Sequence, residues 1–433
     1  MLAEELLRRG HRVTWWTSHV DHFRKEFFGV AGHSLEVAPG YTLRFLRGRL
    51  YRQNVSLDRL INHWQIGRDF NVLCRSAVRP DAILCSFPTI ELSLAAVRFG
   101  QERGIPVLLD IRDLWPDIFL QPASARMRGL AKALLWPYFS ATRRALASAD
   151  GLIAVSRGYL DWALERARRG PHTLDRVFPL AYSLPDKTPA TRAAGRAMLE
   201  PHGVGSDSIV CLFAGTLGRT YDLAPVLETA RQFAAVPNSR FHFLICGDGE
   251  RAGHWRALAA GLRNVSFTGW LDQGRMRAAL AAADIGVAAY APDAPQGLPN
   301  KVIEYLAAGV PVISSLRGET ESLLSETASG VSYAAGSAAS FAASLLALEP
   351  DAARAPLADN ARRTYEARFQ AETIYANLAD HLELLARQPD KNGAATIQPR
   401  SAASPAGTPQ RAARTPEDLV MAPRPATLPP AST

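Results

Sequence analysis

The 433-residue sequence contains no run of 18 or more apolar residues, and a helix needs about 20 of them to cross a bilayer, so no segment reads as membrane-spanning. Its first residues lack the charged-then-apolar order of a secretory signal, and the expected compartment is the cytoplasm. Cysteine is scarce. Cys74, Cys85, Cys211 and Cys246 have no paired spacing, and the last three sit in apolar, strand-like runs, which points to buried free thiols rather than disulfides or a metal cluster. Zinc-finger, RNP and basic-zipper patterns are missing as well. The net charge of +8 and pI of about 9.5 therefore point to phosphorylated substrates or anionic lipid surfaces ahead of nucleic acid.

What is present is an ordinary globular composition, 47% hydrophobic and 21% charged, long enough for two or three domains. Residues 1–17 read as the end of an amphipathic helix, a stop at Gly10 and an alternating strand through Val13, Thr14, Trp15 and Trp16. No strand precedes that helix, although an open α/β sheet places its first strand mid-sheet and its first glycine-rich loop at the ligand. The expectation is that about 20 to 30 residues belong upstream, since a sheet without a central strand leaves unpaired backbone groups on two neighbours.

Residues 41–70 mix Arg44, Arg47, Arg49 and Arg52 with Tyr41, Phe45, Leu46, Leu50 and Tyr51, a pattern that a solvated surface would also explain. Residues 82–88 read as a strand, the stretch from Ala96 to Gly104 as a helix and 106–110 as the next strand, a βαβ rhythm. Directly after comes Asp110-Ile111-Arg112-Asp113-Leu114-Trp115-Pro116-Asp117, at a strand's C-terminal end, where such sheets place ligands. Arg112 is suited to meet a phosphate or to hold Asp113, and Asp113 to orient an acceptor hydroxyl; an Arg–Asp pair that only fixes the loop is the alternative. Residues 124–149 alternate apolar groups with Arg126, Arg128, Lys132, Arg143 and Arg144, and read as an amphipathic helix that faces a core or lies in a bilayer interface. A strand at 151–157 closes the first half, and residues 183–191, rich in Pro, Lys and Asp, form a linker.

The second half restarts the pattern. Residues 208–223 give a strand, a turn through Gly215 and Gly218 and a helix, the geometry in which backbone N–H groups approach a diphosphate. Residues 243–250 repeat it with Gly247, Asp248 and Gly249, and strands follow at 264–271 and 283–288. Residues 297–315 (GLPNKVIEYLAAGVPVISS) then read as a loop, a helix, a glycine stop and a strand. Asn300 is a suitable N-cap, Val302, Ile303, Leu306 and Ala307 recur at helical spacing, and Gly309 can close the helix in the left-handed conformation. The helix N-terminus offers unpaired N–H groups and about half a positive charge to a phosphate. Glu304 lies one turn inside, where a carboxylate can accept two sugar hydroxyls, although a lone glutamate on a helix is commonly only solvated. Residues 359–387 read as one long helix. From 389 to 433 the chain is Pro, Ala, Ser and Thr with scattered Arg, too poor in apolar groups to offset the entropy of ordering, and is expected to be disordered.

Residues 296–315 resemble the donor-binding signature of family 4 glycosyltransferases, two glutamates separated by seven residues ahead of an Ala-Gly-x-Pro-Val turn. Glu304 occupies the second position, whose family role is to hold the ribose hydroxyls of the nucleotide; Gln296 stands at the first, which contacts the donor sugar. The 110–117 cluster resembles the branch acting on lipid-linked surface-polysaccharide intermediates, many of which carry His-Asp where Arg112-Asp113 stand. Relatives usually place an Arg and a Lys after the strand at 208–213; here Thr216 fills the Arg position and Arg219 is the substitute. The resemblance implies an α/β, GT-B architecture of two Rossmann-like domains facing a cleft. Residues 1–187 would form the acceptor side, 188–358 the nucleotide-sugar side, 359–388 a helix packing back on the first domain, and 389–433 the disordered tail.

The implied reaction is a retaining transfer, independent of metal or other cofactor, from a nucleotide sugar to a glycan or lipid-linked saccharide in polysaccharide biosynthesis. The donor leans toward UDP, with an N-acetylated hexosamine among the sugars considered. Implied partners also include an anionic membrane, at the inner face of the plasma membrane, and no nucleic acid. Donor contacts fall to Gly215, Arg219, Gly247, the backbone of Trp270 and Leu271 at the base, Gly297, Leu298, Asn300, Lys301 and Glu304, and catalytic roles to Asp113, Arg112 and Gln296. Two rivals remain: a GT-B nucleotide-sugar epimerase, and a catalytically silent binder, which Gln296, Thr216 and the missing first loop would fit.

Overall fold

The computed structural model describes residues 1–388 apart from 23, 54–55, 121–125 and 184–187; the expected tail at 389–433, the middle of the linker and residues 124–125 lie outside the described residues. In the first domain, α1 (Leu2–Arg8) ends before Gly10, whose φ of +84° turns the chain into β1 (Val13–Ser18). A short antiparallel pair, β2 (Val20–Asp21) and β3 (Glu26–Phe27), precedes the hairpin of β4 (Ser34–Ala38) and β5 (Tyr41–Leu46), and β5 runs parallel to β1. The Ser56 hydroxyl accepts from the Arg59 N–H at 3.2 Å and starts α2 (Leu57–Leu73). Then come β6 (Ile83–Phe87), α3 (Ile90–Arg103), β7 (Val107–Ile111), α4 (Arg128–Leu134), α5 (Trp136–Ser148), β8 (Gly151–Ala154), α6 (Arg157–Ala167) and β9 (Arg176–Val177).

These strands form two main sheets, β1-β5-β4 and the all-parallel β6-β7-β8-β9, so that β1 and β6 each stand at the end of their sheet. A shared core of Leu46, Phe70, Phe87 and Phe99 unites the sheets beneath α2 and α3. The amphipathic run expected as one helix is two. Pro137, in the first turn of α5, has no N–H to continue a helix from α4, and the chain breaks at Leu135. α5 buries Thr142, Ala145 and Leu146, whereas α4 buries nothing.

The second domain begins with α7 (Pro189–Leu199), started by a reciprocal cap between Thr188 and Thr191. β10 (Ile209–Ala214), α8 (Ala224–Ala234), β11 (Phe241–Cys246), α9 (Ala252–Leu258), β12 (Val265–Gly269), α10 (Gln273–Ala282) and β13 (Ile285–Ala288) follow. α11 (Asn300–Ala307), β14 (Val312–Ser314), α12 (Glu319–Thr327), β15 (Gly330–Ser332) and α13 (Ala338–Ala347) complete it. The six strands are parallel in the order β12-β11-β10-β13-β14-β15. β10 and β11 are buried along their whole length, which is why both read as unbroken apolar runs. The order reverses between β10 and β13, and ligands bind at the carboxyl ends of strands at such a switch point.

The helical pattern at 359–387 also divides, into α14 (Asp351–Arg368) and α15 (Ala371–Ala386). Phe369 leaves helical geometry at φ −131° to bury its ring, and Gln370 pairs with Tyr182, just before the linker. α15 then packs Leu378, Leu382 and Leu385 on Leu108, Ile153 and Leu174 of the first domain. All four cysteines are buried and free.

The turns after β10, β11 and β12 interlock. Gly215 N–H donates to Cys246 O at 2.9 Å, Leu217 N–H to Asp248 O at 2.9 Å, and Gly247 N–H to Gly269 O at 2.8 Å. Gly247 has φ +138°, and a Cβ there would stand 1.9 Å from Gly215 O. Gly247→Ala is therefore expected to cost about 2–4 kcal/mol of stability through strain and turn displacement. Urea denaturation of the variant checks this, and an unchanged midpoint would show that the turns tolerate separation.

Candidate active site

The corner at Gly297–Glu304 faces the switch point. The N-cap of α11 is Pro299, not the expected Asn300, because proline already holds the extended φ and ψ of −81° and 155° that a cap requires. Asn300 becomes the first helical residue and is exposed. No side chain caps α11, and the N–H groups of Gly297, Leu298, Asn300 and Lys301 find no acceptor among the described residues. The Leu298 side chain belongs to the core, so only its backbone faces the site. Gly297 is held from behind, its carbonyl accepting the Thr320 N–H at 3.2 Å and the Thr320 hydroxyl at 2.5 Å.

Lys301 does not reach outward. Its Nζ lies 3.7 Å from the Phe213 ring centroid, 3.8 Å from that of Tyr221 and 5.3 Å from that of Tyr290, with no hydrogen-bond partner among the described residues. Burial pushes its ammonium well below the ordinary lysine range, opposed in part by the negative charge of Glu304. The same Nζ would stand 3.0 Å from a Cβ at Gly215, so it underlies the first glycine turn. Glu304 is half-buried and engages the hydroxyl of Tyr182, which also meets the Asn300 side chain; burial and then Glu304 raise the phenol's pKa and keep it a neutral donor. Arg219, by contrast, is 82% exposed and paired with Glu250 at 3.1 Å. Trp270 is 76% exposed at the end of β12, and Leu271 packs on the core.

In the first domain, the expected pairing of Arg112 with Asp113 is not formed. Arg112 Nε donates to Asp110 Oδ2 at 2.6 Å, because Asp110 is the carboxylate buried in β7 and the more costly one to leave unpaired. Asp113 accepts instead from its neighbours, the Leu114 N–H at 2.8 Å and the Trp115 indole at 3.2 Å, and burial raises its pKa. It interacts electrostatically with Tyr159 of α6, and the cap of α6, Ser156, lies beside Gly297 across the domain boundary. Asp113 and the α11 corner thus border the same α6 N-terminus. A cavity of about 490 Å³ between β9, α14 and α15 lies elsewhere and contains none of these groups.

The structure is similar to sucrose-phosphate synthase from Thermosynechococcus elongatus, with a TM-score of 0.64 and 19% identity over 89% of this chain and 91% of that one. It is also similar to α,α-trehalose 6-phosphate synthase from Burkholderia multivorans, with a TM-score of 0.65 and 12% identity over 92% and 95%. The HepE protein of Anabaena in complex with UDP-glucose gives 0.55 and 17% over 79% and 86%. At these identities the likeness shows the shared fold, GT-B. No curated protein matches the chain by sequence. Residues 208–351 match the family model of glycosyl transferases group 1, and residues 1–180 that of the glycosyl transferase 4-like domain. The chain is a GT-B glycosyltransferase.

Sequence reasoning missed several residues of this glycosyltransferase's cleft. Tyr182 follows no motif and becomes visible only through its contact with Glu304. Glu319 lies fifteen positions after Glu304 in sequence and returns beside Gly297 through the β14 turn. Arg59 and His63 were in principle legible, since they share one face of α2 at i and i+4 behind the Ser56 cap. Arg59 stacks 4.8 Å from the Trp115 ring, and His63 lies 5.2 Å from it.

Burial pushes His63 down to about 4, and His242 of β11 likewise to about 4. Both folded values lie below the ordinary imidazole value near 6.5, so the unfolded chain takes up the proton first. Stability is therefore full above pH 6.5, falls as pH drops from about 6.5 to 4, and each histidine costs up to about 3 kcal/mol at the end of that window. Urea denaturation at pH 7 and 4.5 should show the loss, and His63→Gln should make it shallower; equal pH slopes for wild type and variant would show that His63 is not buried neutral.

Proposed function

We propose that this protein is a retaining, metal-independent glycosyltransferase of the family 4 type. It moves a sugar from a nucleotide-sugar donor, UDP-linked in the favoured form, to a glycan or lipid-linked saccharide acceptor. The observation that carries the reading is the α11 corner: free N–H groups at the start of a helix that points at a topological switch point, with a carboxylate one turn inside. The diphosphate meets those N–H groups and the glycine turns at Gly215 and Gly247, and the Glu304 carboxylate accepts the ribose hydroxyls. Negative charge forms on the nucleoside diphosphate as it leaves, and dipoles fixed in place before the reaction stabilise it without reorganising. Lys301 adds its positive charge from beneath Gly215, and Arg219 closes from the exposed side by exchanging Glu250 for phosphate. Trp270 and Leu271 meet the base through their backbone. Across the cleft, Asp113 accepts a hydrogen bond from the acceptor hydroxyl and sets its direction of attack, Arg112 completes the loop, and Gln296 contacts the donor sugar.

Glu304→Ala is expected to weaken nucleotide binding by about 3 kcal/mol, since it removes two hydrogen bonds to a charged group. Calorimetry with UDP, GDP and ADP checks this; an unchanged affinity would refute the role. An epimerase would consume the sugar nucleotide without any acceptor, and a silent binder would retain it without turnover.

The acceptor's lipid is accommodated on α4 and the start of α5, where Leu134 is 79% and Trp136 67% exposed beside Lys132. Such a mixture of exposed apolar and basic groups suits an anionic interface. Vesicles of mixed phosphatidylglycerol and phosphatidylcholine should carry the protein on flotation at low salt, and Leu134→Glu with Trp136→Glu should release it. Failure of the wild type to float would remove the membrane reading.

A further inference from the structure

Glu319, the first residue of α12, carries a carboxylate whose two oxygens differ sharply. Oε1 crosses the domain boundary and accepts the backbone N–H of Arg157, at the start of α6, at 3.2 Å. Oε2 is buried and has no hydrogen-bond partner among the described residues. A buried carboxylate oxygen left without a donor is costly, and such groups in a native structure call for a missing partner. The atom lies against the donor corner, since a Cβ built on Gly297 would stand 2.9 Å from Oε2 and 3.6 Å from the Ser156 hydroxyl. Only glycine at 297 lets the backbone of the corner come this close to the carboxylate. The adjacent Gln296 also has its Oε1 buried and unpartnered among the described residues. Two acceptor oxygens without donors among the described residues thus belong to the Gly297 corner, one on the residue that packs against Gly297 and one on its chain neighbour.

The chemistry that satisfies this arrangement is a group rich in hydroxyl donors, seated next to the α11 N-terminus. We propose that Glu319 is a sugar-binding residue, whose Oε2 accepts hydroxyls of the donor's pyranose ring while its Oε1 remains on the α6 N-terminus. This rests on the reading of the α11 corner as the nucleotide-sugar site. Nucleotide recognition then belongs to Glu304 and sugar recognition to Glu319 with Gln296. Because one oxygen of Glu319 is anchored to the first domain, the sugar is gripped fully only when the two domains are together. The negative carboxylate also complements the positive end of α6, which favours that same arrangement.

Calorimetry with UDP, GDP and ADP and with UDP-glucose, GDP-mannose and ADP-glucose separates the two contributions in wild type, Glu319→Gln and Glu319→Ala, with thermal melts to confirm folding. Glu319→Gln keeps an oxygen for the Arg157 N–H and loses the charge. The expected result is nucleotide affinity within twofold of wild type in both variants, and loss of the additional affinity conferred by the hexose, by about tenfold or more in Glu319→Ala and less in Glu319→Gln. A hexose contribution unchanged in both variants would overturn the proposal, and so would a parallel loss of nucleotide and nucleotide-sugar affinity, which would mark Glu319 as a domain contact only. If no nucleotide binds the wild type, the donor-site reading falls and this proposal with it. If nucleotide binding depends on Glu304 while the hexose contribution ignores Glu319, this proposal alone falls.

Discussion

The site depends first on one buried phenol. Tyr305, in the middle of α11, accepts the Ala214 N–H at 3.0 Å where β10 ends and donates to Val287 O at 3.3 Å in β13. Its ring lies on Gly286, where a Cβ would come within 2.4 Å, so β13 admits no larger residue at that point. Burial raises the phenol's pKa well above the ordinary tyrosine value and keeps it neutral, able both to donate and to accept. Without it the Ala214 N–H would be buried and unpaired, at about 1–3 kcal/mol. With it, α11 is fixed to both strands that flank the switch point, and the direction of the helix N-terminus is set before any ligand arrives.

From that fixed helix the remaining polar groups follow by helical geometry. Lys301 lies four residues before Tyr305 on the same face, which puts its ammonium under Gly215 and among the rings of Phe213, Tyr221 and Tyr290. Glu304 projects from the adjoining face toward the linker. The corner therefore holds a buried lysine amine on aromatic faces, several free backbone N–H groups, and unpartnered oxygens of Gln296 and Glu319. The buried carboxylate of Asp284, by contrast, takes Arg192 and Arg196 on its two oxygens and the Val210 N–H besides. Three unpartnered side-chain groups, on Gln296, Lys301 and Glu319, thus belong to the corner where a polar ligand would enter.

Two of the residues that join the domains, Tyr182 and Glu319, also face the α11 corner. Tyr182 receives the Tyr365 hydroxyl on its carbonyl at 2.6 Å, pairs with Gln370 at the break between α14 and α15, and still reaches Glu304 with its own hydroxyl. Glu319 joins the α11 corner to α6. The apolar face of α15 holds the first domain through Leu378, Leu382 and Leu385. Through Tyr182 and Glu319 the α11 corner shares contacts with the joint between the domains.

Most of the α/β order was readable, because fully covered parallel strands must be apolar throughout: Ile209–Ala214 and Phe241–Cys246 declare themselves, as does Gly309, whose φ of +60° closes the helix at the corner. Glu304 was legible from its spacing to Gln296 and its place one turn inside a glycine- and proline-bounded helix. Helix breaks were not. Leu135 and Phe369 interrupt patterns that stay amphipathic across the break, since periodicity reports which face is buried and not where a packed ring or a proline forces the chain to turn. Side-chain pairing was also beyond the sequence: Arg112 had two aspartates in reach, and burial of Asp110 in β7 decided between them. The sequence by itself determined which segments are buried and where a helix N-terminus would face a ligand, because burial and capping are local properties of residue type and period. Only the tertiary structure decided that Lys301 sits among aromatic rings and that Tyr182 and Glu319 come to the α11 corner, because those contacts join residues far apart in the chain and arise only when the elements are packed.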